Sequence, residues 1–213
     1  MSFQLAIDGP AASGKSTISR LLAKKLNWTH IDTGALYRAI AYIAISRNID
    51  LGNEDKFNFI KDLNIIYDMG KIVVNGENIT SKIRAHKVSK VASQIAGYPL
   101  VRKSLLNLQK ELASKGNIIM DGRDIGTVIL PNANLKIYLN AILHERAKRR
   151  YLEDDSKSLN EIESEIIERD HNDSTRKNAP LAIAKDAIEI DTTNLTIDEV
   201  VDKIIELIKN KGE

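Results

Sequence analysis

The chain contains no cysteine. That excludes disulfides and thiolate-bound metal centres, and it fits a reducing cytosol without requiring one. Charge of neither sign is in excess: 31 Lys and Arg stand against 29 Asp and Glu, a net charge of +2. A protein that wraps a nucleic-acid backbone would carry a clear basic surplus, so nucleic acid is not an expected partner. No apolar run approaches the roughly 18 residues of a membrane span. The N-terminus enters a strand-like run at once, without a basic leader or a long apolar h-region. A soluble, cytoplasmic protein with no membrane association is the expectation. No repeat, low-complexity tract or linker divides the 213 residues, so one compact α/β unit with modest insertions is expected. The histidines His30, His86, His144 and His171 show no metal-ligand spacing and are expected in structural or surface roles.

The stretch that organises the chain is GPAASGKST, Gly9 to Thr17. It fits G-x-x-x-x-G-K-[ST], with Gly9, Gly14, Lys15 and Ser16 at the fixed positions and Pro10, Ala11, Ala12 and Ser13 between the glycines. The apolar run FQLAID precedes it, and TISRLLAKKL follows with Ile18, Leu21, Leu22 and Leu26 on one helical stripe. A strand, a glycine loop and a helix in that order make a nucleotide-phosphate site. Glycines let the backbone curl until its N–H groups point at phosphate oxygens, and the helix offers its positive dipole end to the same anion. On a solvent-facing loop, Lys15 is expected to reach the β- and γ-phosphates of ATP, and Ser16 to hold Mg²⁺.

Further along, WTHID (28–32) reads as a second strand running into the helical TGALYRAIAYIAI. Thr33 and Gly34 are expected at the turn, with Tyr37 and Arg38 in the first helical turn, where open α/β sheets bind ligands. Residues 64–80 are rich in short β runs, with Asn75-Gly76 as a two-residue hairpin signal, and suggest an antiparallel insertion over about 62–98. A helical pattern covers Val88–Ala96, and Pro99 opens another helix that carries Arg102 in its first turn. NIIMD (117–121) is a buried strand ending in Asp121, the Walker B pattern whose carboxylate supports Mg²⁺ directly or through water.

LKIYLN (135–140) is a further strand, followed by a basic helix with Arg146, Arg149 and Arg150 on one face. A capping box at Ser158–Glu161 starts a polar helix, in whose register Arg169, Asp173 and Arg176 share a face. AIEID (187–191) is the last strand, and a second capping box, Thr196–Glu199, opens a helix with Val200, Val201, Ile204, Ile205 and Ile208 inward. Five parallel strands alternating with helices predict a doubly wound P-loop sheet.

A signalling GTPase is unlike this chain. It contains no D-x-x-G, and the only near match to N-K-x-D is the tail Asn210–Glu213. AAA-type motors and ABC modules are larger. A small-molecule kinase remains, or a nucleotide-sensing module that binds ATP without turnover.

Five segments, GPAASGKST, DTGALYR, ASQIAGYPLVR, DGRDIGTVILP and ERDHNDSTRKNAPL, resemble in order the signatures of bacterial cytidylate kinases, over essentially the whole chain. One departure is Ala12-Ser13, where related loops often carry another glycine. The resemblance implies ATP- and Mg²⁺-dependent phosphorylation of CMP and dCMP by a monomer. It implies a core of 1–61, 99–150 and 177–213, a nucleoside-monophosphate insertion at 62–98 and a short helical lid at 151–176. Arg38, Arg123 and Arg176 would clamp the acceptor phosphate; Thr33, Tyr37, Arg169 and Asp173 would sit near phosphate or sugar. Ser93, Arg102 and Asp124 would face the base, and Arg146 and Arg150 are lid-side candidates for ATP. Another nucleoside-monophosphate or small-metabolite kinase would share the phosphate loop and the arginines.

Overall fold

A computed structural model describes residues 2–68, 70–153 and 156–212. Position 69 of the expected insertion and positions 154 and 155 of the expected lid lie outside the described residues, as do 1 and 213 of the expected core.

The first strand, β1 (Gln4–Asp8), leads into α1 (Lys15–Leu26), β2 (Thr29–Asp32) and α2 (Thr33–Ser46). After the inserted segment come α4 (Pro99–Ala113), β6 (Ile118–Asp121), β7 (Leu135–Asn140), α5 (Leu143–Glu153), α6 (Leu159–Thr175), β8 (Ile188–Asp191) and α7 (Ile197–Gly212). Five strands form an all-parallel sheet in the order β2-β6-β1-β7-β8. The chain moves out from β1 to the edge, returns to β6 and then crosses β1 to reach β7. That reversal makes a switch point at the carboxyl ends of β1 and β6, where such sheets hold ligands. Register aligns those ends, with Ile7 opposite Asp121 and Asp32 opposite Asp121.

Alternation along each strand divides the core between two faces. Leu5 and Ile7 join Ile18 and Leu22 of α1 and Val201 and Ile204 of α7 on one face. Ala6, Ile31 and Met120 meet Leu36 and Ile40 of α2 and Val101 and Leu105 of α4 on the other. Each fully buried Leu or Ile stabilises by about 1.5–3 kcal/mol, so the sheet is a rigid base for the loops at its end.

The inserted segment builds a separate antiparallel sheet from β3 (Ile65–Asp68), β4 (Lys71–Val74) and β5 (Glu77–Asn78). Asn75 and Gly76 turn between β4 and β5 with φ of 51° and 85°, the doubly positive pair of a type I′ hairpin. A 3-10 turn at Lys82–Arg84 and α3 (His86–Ile95) return the chain to α2. A further 3-10 helix, Glu54–Asp62, occupies a stretch with no clear sequence signal. Both capping boxes form as expected: Ser158 with Glu161, and Thr196 with Glu199. One helix starts earlier than expected. The Asp32 side chain accepts from the Ala35 N–H at 3.0 Å and caps α2 at Thr33, which moves Tyr37 and Arg38 into its second turn.

Asp8, at the end of β1, accepts from the Ile125 and Gly126 N–H groups at 2.9 and 2.8 Å and pins a π-helical turn, Ile125–Ile129, over the sheet end. Burial pushes its carboxyl up to about 6, and the two N–H donors only partly offset that. The folded value lies above the unfolded one. Its contribution to stability is therefore full below about pH 4 and is lost as pH rises to about 6. Urea unfolding of the wild type should lose on the order of 3 kcal/mol over that window relative to Asp8→Asn, which cannot ionise. Parallel pH profiles for the two proteins would contradict the assignment.

Candidate active site

The phosphate loop connects β1 to α1. Gly9 sits at φ 149°, and a Cβ there would lie 2.1 Å from the Leu139 carbonyl oxygen, so the close approach to β7 requires glycine. Gly14, at φ 88°, turns the chain into α1, which has no side-chain cap and no acidic residue in its first turn. Ala12 adopts φ 57°, a left-handed conformation that costs an alanine about 1–2 kcal/mol. The loop thus holds a glycine-type conformation at the position where related loops often have glycine.

Lys15 is buried, not solvent-facing, at 5% exposure. Its Nζ donates back to the Pro10 carbonyl at 2.5 Å and to Ser13 Oγ at 3.0 Å. Burial, followed by the charge of Arg123, holds its pKa well below the ordinary lysine value. Ser16 donates to Asp121 Oδ2 at 2.7 Å, and His30 Nε2 lies 2.5 Å from Asp121 Oδ1. Burial alone would raise the Asp121 carboxyl; His30, the Ser16 hydroxyl and Lys15 outweigh it and keep it below its usual value. Thr33 Oγ1 donates to the Asp121 carbonyl at 2.8 Å.

Opposite the loop, arginines from four segments converge. Arg38 of α2 donates to Asp32 at 2.7 Å, and Arg123 after β6 donates to Asp173 of α6 at 2.7 Å. Arg176, just past α6, reaches Asp124 at 3.1 Å and lies 3.8 Å from Asp173. Arg102 of α4 pairs with the other oxygen of Asp124 and lies over the Tyr37 ring at 5.9 Å. Burial would raise the Asp173 carboxyl, but Arg123 and Arg169 outweigh it and hold it low. Arg169 is pushed down to about 10 by burial and by neighbouring Arg123, and remains cationic at neutral pH.

Most of these side chains line one cleft of about 500 Å³. Lys15, Arg20, Arg38, Arg84, Arg123, Arg150, Arg169 and Arg176 face it, against Asp32, Asp121, Asp124, Glu153 and Asp173. Eight cations against five carboxylates make it an anion site. Among the described residues, two buried polar atoms on its wall have no hydrogen-bond partner: Arg169 Nε and Ser93 Oγ. Such orphans are rare in folded proteins and mark places where a ligand completes the bonding.

Ser13, Gly14, Lys15, Ser16 and Thr17 line the cleft directly, as do Thr33, Tyr37, Ser93, Asp124 and Asp173. Arg102 does not line it but touches it through Asp124. Arg150 faces the cleft from α5, paired with Glu153 at 3.1 Å. Arg146 stands apart: it is buried behind the loop, donating to the Ala11 carbonyl at 2.8 Å and the Ala141 carbonyl at 3.0 Å. Sequence reasoning missed Arg20, Arg84, Asp32 and His30. Helical spacing after the loop could have offered Arg20; nothing local announces His30, which meets Asp121 only through the β2–β6 pairing. Among the described residues no group of three or more His, Cys, Asp or Glu could hold a metal ion, and no helix is long and apolar enough to cross a membrane.

A family model described as cytidylate kinase matches residues 5–210. A cytidylate kinase from Listeria innocua is 47% identical, with 97% of this chain and 96% of the relative covered. Cytidylate kinases from Ligilactobacillus salivarius (46% identical, 98% and 97% covered) and Thermotoga maritima (45%, 99% and 99%) are similarly close. Among solved structures, a gluconokinase from Sinorhizobium meliloti superposes with a TM-score of 0.53 at 12% identity, covering 98% of this chain and 95% of that one. A shikimate kinase from Bacteroides thetaiotaomicron gives 0.50 at 15%, covering 98% and 99%. At those identities the likeness shows the P-loop kinase fold alone.

Proposed function

The chain belongs to the cytidylate kinase family, and from that premise we propose that it transfers the γ-phosphoryl group of ATP to CMP or dCMP, yielding ADP and CDP or dCDP. The observation that carries this reading is one cleft with a phosphate loop on one wall and an arginine cluster, in which Arg169 Nε has no partner, on the other. Two phosphorylated ligands would meet there end to end, and positioning of that kind is most of what phosphoryl transfer requires.

The acceptor oxygen belongs to a phosphate that is anionic near neutral pH, so the reaction needs no general base. Lys15 would exchange its bonds to Pro10 and Ser13 for the β- and γ-phosphates, with loop N–H groups from Ser13 to Thr17 around them. Arg38, Arg123 and Arg176 would hold the acceptor phosphate, and Arg169, Asp173, Tyr37 and Thr33 its surroundings. Ser93, Arg102 and Asp124 would read the base; Arg150 of α5 would approach ATP on the lid side. Mg²⁺ fits the Ser16–Asp121 pair, a hydroxyl and a carboxylate 2.7 Å apart, since it takes few protein oxygens and keeps waters and phosphate oxygens. When bound, it would supply charge neutralisation for the transferring phosphoryl group. We take the insertion at 62–98 as the acceptor-binding unit, 151–176 as the lid and the remainder as the core, in a monomeric cytoplasmic enzyme.

Lid closure leads to one prediction. Arg176→Ala should lower kcat by more than it weakens ATP binding, because its partners Asp124 and Asp173 lie on the acceptor side. A change confined to the ATP Kd would remove Arg176 from the acceptor clamp. The reading as a whole is tested by an acceptor panel with ATP–Mg²⁺: CMP, dCMP, UMP, AMP, GMP and shikimate. CMP and dCMP should give turnover well above the rest. A different preferred acceptor, or none, would overturn it.

A further inference from the structure

His30 does not line the cleft, yet it holds a carboxylate that does. It lies on β2, the edge strand, whose neighbour in the sheet is β6. His30 stands in register with Ile119, so Asp121, two residues further along β6, is its diagonal neighbour on the same face. That face carries α1, because Ile119 packs in the cluster of Ile18 and Leu22. A short side chain at position 30 would not span the diagonal. The imidazole does, with Nε2 2.5 Å from Asp121 Oδ1, while Ser16 at the start of α1 donates to Oδ2 at 2.7 Å. A carboxylate has only lone pairs to offer, so the ring nitrogen that faces it carries the proton and donates.

The histidine is itself braced. From the open edge of β2, the Tyr67 hydroxyl of β3 donates to the His30 carbonyl at 3.2 Å and accepts from the Asp32 N–H at 2.9 Å. Asp121 is buried, and its backbone carbonyl is held by Thr33 Oγ1 at 2.8 Å. The carboxylate is thus fixed through both oxygens, each of which still has a lone pair for a further bond. Because Nε2 is committed to Asp121, His30 acts through that carboxylate and not as a ligand. We infer that His30 is a positioning residue for the cation: by donating to Asp121 Oδ1 it keeps the carboxylate against the Ser16 hydroxyl and so sets the affinity of the Ser16–Asp121 pair for Mg²⁺. The inference rests on the kinase reading above, which puts Mg²⁺ at that pair. Without the imidazole, Oδ1 loses its donor and the carboxylate is free to turn away from Ser16. Side chains that orient a metal's ligands typically account for about 10–100-fold of its affinity.

Mn²⁺, which takes the same carboxylate and water oxygens as Mg²⁺, reports that affinity directly. Its EPR signal falls as it leaves free solution, so titrating it into the enzyme–ADP complex gives a Kd without turnover. His30→Leu removes the donor, and His30→Asn keeps a donor too short to reach; each should weaken Mn²⁺ binding at least about tenfold. His30→Gln, whose amide can reach and donate, should retain most of the wild-type affinity. Calorimetry of ADP binding in EDTA should give the wild-type value for all three, because His30 acts on the carboxylate and not on the phosphate loop. If thermal unfolding shows that His30→Leu does not fold, His30→Asn carries the same test. Wild-type Mn²⁺ affinity in His30→Leu or His30→Asn overturns the inference, as does a His30→Gln no better than His30→Leu. So does an equal loss of ADP affinity with and without metal, which a merely structural role would produce. A wild type that adds nothing to the affinity of ADP alone for Mn²⁺ overturns it too. Failure of the kinase reading is visible separately, as absence of CMP-dependent turnover by the wild type.

Discussion

Lys15→Ala should lower kcat by roughly 10²–10³ while leaving a folded protein, because the ammonium acts on charge that grows in the transition state. The structure explains why stability should survive. The ammonium is buried, bonded to Pro10 and Ser13 of its own loop, and burial penalises its charge. Removing it leaves the Pro10 carbonyl short of a donor, at about 1–3 kcal/mol, but also removes a desolvated cation, and the two effects oppose each other. The thermal midpoint of the free variant should thus stay close to the wild type, while the rise produced by ATP should shrink. A folded variant with near-normal kcat would remove the phosphate loop from the mechanism.

Base choice is the second large effect. Cytosine offers an exocyclic amino donor beside the N3 acceptor; uracil offers a carbonyl acceptor beside an N3–H donor. Asp124 is 4% exposed and accepts from Arg102 and Arg176, while Ser93 Oγ is buried nearby on the cleft wall with no partner. A carboxylate and a hydroxyl can take the cytosine amino group, and Arg102 can donate to N3. UMP would bring a carbonyl against Asp124 and an N–H against Arg102. Each buried group left unpaired costs roughly 1–3 kcal/mol. CMP and dCMP should therefore exceed UMP by at least about a hundredfold in kcat/KM, equivalent to roughly 2.7 kcal/mol. Asp124→Asn can present an acceptor or a donor and leaves Arg102 and Arg176 without their counter-charge, so it should narrow the gap chiefly by lowering CMP activity. Equal use of CMP and UMP by the wild type would defeat the base assignment; an unchanged ratio in Asp124→Asn would clear Asp124 of the role.

Features written in a few adjacent residues were legible without coordinates. The glycine loop between strand and helix, the I′ pair Asn75-Gly76, Pro99 at a helix start and both capping boxes are local chemistry, and each forms. Strand-terminal acids were readable as ends, but not their partners. His30 and Asp121 are 91 residues apart, and Ala11 and Asp170 are 159 apart. Pairs like these depend on strand order and helix placement, which leave no period in the sequence. The burial of Lys15 was hidden for a related reason. A lysine in a loop looks solvated until the loop folds back and its own carbonyl captures the ammonium. The early start of α2 turned on one side-chain bond, donated by the Ala35 N–H to Asp32, that a residue read as the end of a strand did not suggest.

The central claim, that the cleft passes a phosphoryl group from ATP to CMP, is tested most directly by following both products together. With ATP–Mg²⁺ and CMP, phosphorus NMR should show ADP and CDP appearing one for one, with neither formed when CMP is left out. ADP formed without CDP would mean transfer to water, and absence of both would mean a site that binds nucleotides without reaction; either result contradicts the account.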